Sequence, residues 1–334
     1  MREAPRAALL IDSHLHLWDR DRLEYPWMAG LDLPHTSLPG DPWDGGAAEE
    51  TAAVVGQADT AAVTEGPEDG GPPPPARVAG AAPAVLPAAV VVEAGAAAHQ
   101  WDDEIAWVRG LAETHPHLRG MVAAVDCTAP DLHERLGRYA TNEFVVGVRD
   151  NFEGLPAGEL DVPARVAGVL AARQRGLTVD LCIRADQTDE LLSLLKRVVA
   201  QRGDAAGIVL DHLGKPDVGG AADDVALRAL AAIPGLHVKV SGLPPLAGST
   251  VDAEELERLV RTFALPAITA FGPDRCMVGT DHPVSTVPHG LTRADWVRAV
   301  ADALAQVAGE LAGPSRAADV GAVLGTTAQR FYGV

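Results

Sequence analysis

Two of the chain's eleven histidines, His14 and His16, stand two positions apart just after an apolar run. On an extended segment alternate side chains share a face, so both rings can turn toward one divalent cation. His212 follows the run Gly207–Leu210, and Asp281 follows Cys276–Val278. Three imidazoles and a carboxylate suit a single divalent ion and leave a coordination position for water. The competing reading is that His14 and His16 only cap the fold by hydrogen bonding. Other polar groups lie in or directly behind similar apolar runs: Glu93, Asp126, Arg149 with Asp150, Arg184, Asp211, Lys239 with Ser241, and Thr280 with His282.

Those groups need a frame that gathers them. Eight short apolar, β-branched runs recur: Ala8–Ile11, Ala88–Val92, Gly120–Val125, Phe144–Val148, Leu177–Ile183, Gly207–Leu210, His237–Val240 and Cys276–Val278. Their near-continuous apolar character suits parallel strands buried on both faces. Helical stripes lie between them: Trp101, Ile105, Val108 and Leu111; Leu191, Leu192, Leu195, Val198 and Val199, with Thr188 as N-cap; Leu256, Leu259, Val260 and Phe263, opened by the capping box Asp252 and Glu255; and Trp296, Val300 and Leu304, capped by Thr292 with Asp295. Eight strands alternating with helices predict an α/β fold, a (β/α)8 TIM barrel forming one domain over 1–334. In such a barrel, functional side chains sit at the C-terminal ends of strands, where the groups above fall. The pair His115 and His117 precedes a strand instead, so it belongs to a surface loop on the opposite face.

Composition limits what the site can serve. With 27 Lys and Arg against 46 Asp and Glu, the formal charge is −19. Such a chain repels phosphate backbones and anionic bilayers, so neither nucleic acid nor a membrane is an expected partner. A small-molecule substrate is, and a homo-oligomer stays open. Cys127, Cys182 and Cys276 have no C-x-x-C spacing, which argues for structural thiols in a reducing compartment. Met1–Leu10 does not read as a signal peptide, and a cytoplasmic location is the default expectation. Residues 44–76 are rich in Gly, Pro, Ala and acids, and read as a flexible insertion within the barrel. No G-x-S-x-G elbow, H-E-x-x-H helix or phosphate-binding G-x-x-x-x-G-K-[ST] loop is present.

Several segments resemble the amidohydrolase-related (amidohydrolase 2) family: Ile11-Asp-Ser-His-Leu-His-Leu-Trp-Asp19, Leu210-Asp-His-Leu-Gly-Lys-Pro216, Val238-Lys-Val-Ser-Gly-Leu243, Phe271 to Val284, and Ala328 to Gly333. Within it they are most similar to the sugar-lactonase and dicarboxylate-lactonase branch. The resemblance implies a hydrolase that opens a small lactone, with His14, His16 and His212 as metal ligands and Asp281 as ligand or general base. It implies one divalent ion, Zn²⁺ or Mn²⁺, because the fourth run offers no Lys and the fifth no His for a second; a metal-free mechanism stays open. Asp281 and His212 are the catalytic candidates, and Arg149, Lys239, Arg184, Glu93, Trp18 and His282 the candidates for substrate contact. His282 stands where the family pattern leads us to expect Trp. A metal-dependent decarboxylase and a non-catalytic binder are the alternatives.

Overall fold

The computed structural model describes residues 10–41, 88–220, 224–248, 250–310 and 316–334. Eight parallel strands form one sheet in chain order: β1 (Ile11–Leu15), β2 (Ala88–Val92), β3 (Leu118–Ala124), β4 (Val145–Asn151), β5 (Thr178–Cys182), β6 (Ile208–Leu210), β7 (His237–Val240) and β8 (Cys276–Val278). Helices cover the outside, including Trp101–Ala112, Pro163–Gln174, Thr188–Arg202 and Arg293–Glu310. The architecture is the (β/α)8 barrel that the alternation of runs implies. The expected insertion at 44–76 lies outside the described residues.

The sheet closes through a short irregular seam rather than a regular ladder. The Asp281 amide donates to the His14 carbonyl at 2.8 Å, and the His16 amide to the His282 carbonyl at 2.9 Å. Ser13 Oγ adds a bond to the Val278 carbonyl at 2.7 Å. A Cβ at Gly279 would lie 2.6 Å from that of His14, so this seam needs a residue without a side chain. Closure therefore brings the two ends of the chemistry, His14 and Asp281, side by side.

Burial explains why these runs form strands. β2, with sequence Ala-Ala-Val-Val-Val, is buried at every position, which only a strand covered on both faces requires. One apolar cluster fills the space between sheet and helices; a second, including Ile11, Val90, Val122, Val209 and Met277, fills the barrel. Tyr332, in the C-terminal helix Thr327–Tyr332, packs into that inner cluster. Its hydroxyl donates to Asp180 of β5 at 2.9 Å.

Two local expectations are corrected. The first strand runs on to Leu15 rather than ending at Ile11, so His14 lies within the strand and His16 just beyond it; the start of the expected run, Ala8 and Leu9, lies outside the described residues. The polar groups of Asp12 and Ser13 are satisfied across the seam, by Thr280 and by the Val278 carbonyl, so the strand continues through them. Thr188 is the first residue of its helix rather than the cap; its Oγ1 donates back to the Ala185 carbonyl at 2.8 Å. Two caps form as the residue patterns imply. Asp252 accepts from the Glu255 amide at 2.9 Å, and Thr292 and Asp295 cap each other reciprocally.

Candidate active site

The seam strands and β6 meet at the C-terminal mouth. His14 ends its ring against His16, with 3.1 Å between their Nε2 atoms. Asp281 Oδ1 lies 3.3 Å from His16 Nε2, 3.7 Å from His14 Nε2 and 3.9 Å from His212 Nε2. All four side chains are buried. The backbone is unusual where two of them emerge: His212 has φ +54° and Asp281 φ +52°, a left-handed region costly for non-glycine residues. The fold holds both there, His212 through Ser241 Oγ at 2.9 Å and Asp281 through Ser285 Oγ and the His14 carbonyl.

Burial and neighbouring charge set the protonation states. Burial alone would raise the Asp281 pKa, but the neighbouring imidazoles, His212 first, hold it well below the usual carboxylate range. Burial lowers His212 to about 4 against the opposing pull of Asp281 and Asp211. His14 is also lowered well below its ordinary value, by burial first and then by Lys239. At neutral pH the site therefore holds an ionised carboxylate beside the neutral rings of His14 and His212.

That donor set fits a divalent ion. His16 Nδ1 is 3.0 Å from the Val92 carbonyl, which can only accept, so Nδ1 carries the hydrogen and Nε2 offers its lone pair to the centre. Ligands about 2.1 Å from a tetrahedral ion lie about 3.4 Å apart. The four separations given above bracket that value. Asp211 stands behind His14, with Oδ1 3.4 Å from its Nδ1. Cys182, Asp211 and His212 form a second close group, but Asp211 also faces Lys239 at 3.1 Å and Arg149 at 3.7 Å.

The site opens on a cavity of about 470 Å³, lined in part by His16, Arg149, His212 and Asp281. The other sequence candidates lie elsewhere. Glu93 is beneath the wall, paired with Arg149 Nε at 2.5 Å. Lys239 is wholly buried under His14, bonding His14 Nδ1 at 3.0 Å and pairing with Asp180 and Asp211. Trp18 is also fully buried, its Nε1 donating to the Pro34 carbonyl at 3.0 Å. His282 is buried against Thr286 Oγ1 at 2.7 Å. Arg184 is half-exposed and pairs with Asp186 at 3.1 Å. The cavity wall instead includes Trp27, Asn151, Glu153, Cys182 and Lys215, which the sequence reading did not single out for binding. Lys215 sits three residues after His212 in the segment Leu210–Pro216, a position that signals it from the sequence. Burial pushes the Cys182 thiol well up, which removes it as a nucleophile.

A closed eight-stranded barrel with three imidazoles and a carboxylate at its C-terminal rim is the frame of a barrel enzyme. The chain belongs to the amidohydrolase family, whose sequence pattern matches residues 11–334. A curated L-fucono-1,5-lactonase of Burkholderia multivorans is 30% identical over 198 residues, covering 54% of this chain and 63% of that protein. The match thus spans just under two thirds of that relative's length. A crystal structure of an amidohydrolase from Burkholderia multivorans with bound zinc superposes with a TM-score of 0.68 at 26% identity, covering 98% of this chain and all of the other. A probable 2-pyrone-4,6-dicarboxylic acid hydrolase of Acinetobacter baumannii shares the fold, with a TM-score of 0.61 at 15% identity over 97% of this chain and 99% of that one.

Proposed function

We propose that this protein hydrolyses the ester bond of a small lactone. The observation that carries the reading is the ionised, buried Asp281 facing three imidazoles on an open cavity. The zinc-bearing amidohydrolase and the lactonase relative support it.

Asp281 takes the proton of the attacking water while the water oxygen bonds to the lactone carbonyl carbon. The tetrahedral oxyanion collapses, the ring C–O bond breaks, and Asp281 returns the proton to the leaving alkoxide. His14, His16, His212 and Asp281 would hold a divalent ion, Zn²⁺ or Mn²⁺, which when bound lowers the pKa of water and polarises a carbonyl. His212 faces the carbonyl oxygen or the ion through Nε2, and Ser241 fixes its ring. Arg149, stiffened by two bonds to Glu93, orients the substrate from the wall. Lys239 and Glu93 act from behind, by holding His14 and Arg149. Trp18, His282 and Arg184 lie where contact with substrate would need a different arrangement. The protein works on a small molecule, and no helix among the described residues is long and apolar enough to cross a membrane. A cytoplasmic location remains part of this reading.

The test is acid release from a lactone panel, followed with a pH indicator, on protein purified without chelator and assayed for metal. Stoichiometric acid release with about one ion per chain is expected. Carbon dioxide release from an aromatic acid, with every lactone intact, would overturn the reading in favour of a decarboxylase.

A further inference from the structure

The cavity has two walls of different chemistry, and they bear on which lactone fits. One wall carries two cations, and neither is free. Arg149 is 2.5 Å from Glu93 and 3.7 Å from Asp211. Lys215 Nζ is 2.7 Å from Glu153. Asp281 adds a further negative charge at the floor. A carboxylate brought into this space meets two cations that are both already paired, and two lining acids, Glu153 and Asp281. Losing water without a new partner is costly for an anion. A hydroxyl has the opposite position. It donates to Glu153 and accepts from Lys215 at once, and the Asn151 amide offers both functions again.

The rest of the lining is largely apolar, with Pro26, Trp27, Ala94 to Ala98 and Val284. Trp27 is 41% exposed, unusual for an aromatic of this size beside a buried site. It is also firmly held. Its Nε1 donates to the Ala94 carbonyl at 2.7 Å, and its ring stands edge-on to Trp18 at 6.4 Å. A Cβ at Gly95 would lie 2.7 Å from Nε1, so the ring rests directly on a bare backbone. An exposed, immobile indole gives a ring-sized apolar surface on which C–H groups pack.

We infer that Lys215, Glu153, Asn151 and Trp27 form a specificity wall that selects neutral, polyhydroxylated lactones over lactones bearing carboxylates. The inference rests on the hydrolase reading above. The hydroxyls face the Lys215–Glu153 pair, and the ring's C–H face packs on Trp27. Glu153 decides the sign, because it cancels the one cation of the wall that reaches solvent; the Lys215 and Glu153 side chains are both partly exposed.

The test compares kcat/KM of the full chain on neutral aldonolactones and on lactones of the same ring size with one or two carboxylates. At least a tenfold preference for the neutral set is expected. Glu153→Lys leaves Lys215 uncancelled and adds a cation, so it should move the ratio toward carboxylated lactones by tenfold or more; Glu153→Gln should move it part of the way. Trp27→Ala should raise KM for neutral lactones. Thermal melting of each variant confirms that the fold is kept. Equal or better turnover of carboxylated lactones by the native chain overturns the wall assignment and leaves the hydrolase reading standing. An unchanged ratio in a folded Glu153→Lys variant overturns the role of the ion pair. Hydrolysis of no lactone overturns the hydrolase reading, and this inference with it.

Discussion

Asp281 is ionised because three imidazoles and a serine surround it, and that same environment makes it a base of low proton affinity. Its usefulness lies in position rather than strength. Asp281→Asn keeps the shape and the hydrogen bond from Ser285 but removes the acceptor of the water proton. Turnover should fall on the order of 10²-fold or more, with the melting temperature little changed; normal turnover would remove Asp281 from the mechanism. A second residue-scale effect is structural. Glu104 is buried, and burial, then the charge of Glu93, push its carboxyl up to about 8, against a bond from the Ala94 amide and the pull of Arg149. In the folded state it is therefore neutral at pH 7, while the unfolded chain loses that proton near its ordinary value of 4.5. Its stabilising contribution is complete below about 4.5 and drains away as pH rises to about 8. Glu104→Gln should flatten that decline. Urea midpoints at pH 6 and pH 9 measure it: the native chain should lose more between them than the variant does.

At the scale of elements, glycines decide whether the site can assemble. Gly242 follows β7 with φ +67°, and a Cβ there would lie 2.3 Å from His212 Nδ1. Gly242→Ala should displace the ring, break its bond to Ser241 and cost roughly tenfold to 10²-fold in kcat/KM, because small misplacements of reacting groups are expensive. A crystal structure of the variant with His212 unmoved, or full activity, would contradict this. The same scale shows what could be read from residues in order. The strands were legible because runs such as Ala88–Val92 are continuously apolar, and strand ends led directly to His14, His16, His212 and Asp281. Depth was not legible. Lys239 lies within β7 and Asp281 just beyond β8, yet Lys239 points into the barrel under His14 while Asp281 reaches the mouth. Arg184 lies one residue beyond Ile183, which is already past the end of β5, where the pleat no longer dictates direction, and it turns to Asp186. Trp27 and wall residues such as Glu153 sit in connections whose placement depends on tertiary contacts, such as Trp27 on Gly95, that no spacing encodes.

At the scale of the whole molecule, a polar column runs through the barrel and joins its closed end to its open one. Tyr332 bonds Asp180, Asp180 pairs with Lys239, and Lys239 reaches His14 and Asp211. Every member is buried, so none has water to fall back on. Lys239 carries the balance, since it faces two carboxylates across a low-dielectric interior. Lys239→Met would leave Asp180 and Asp211 without their shared cation and should cost about 3–5 kcal/mol. Tyr332→Phe removes one donor from Asp180 and keeps the packing against the inner cluster, so it should cost only about 1–3 kcal/mol. Groups in one network do not act independently, so the double variant should lose less than the two single losses together. Urea unfolding of the three variants decides it. A cost below about 1 kcal/mol for Lys239→Met would mean that the carboxylates adapt by taking up protons, and the column would then be packing rather than a charge network.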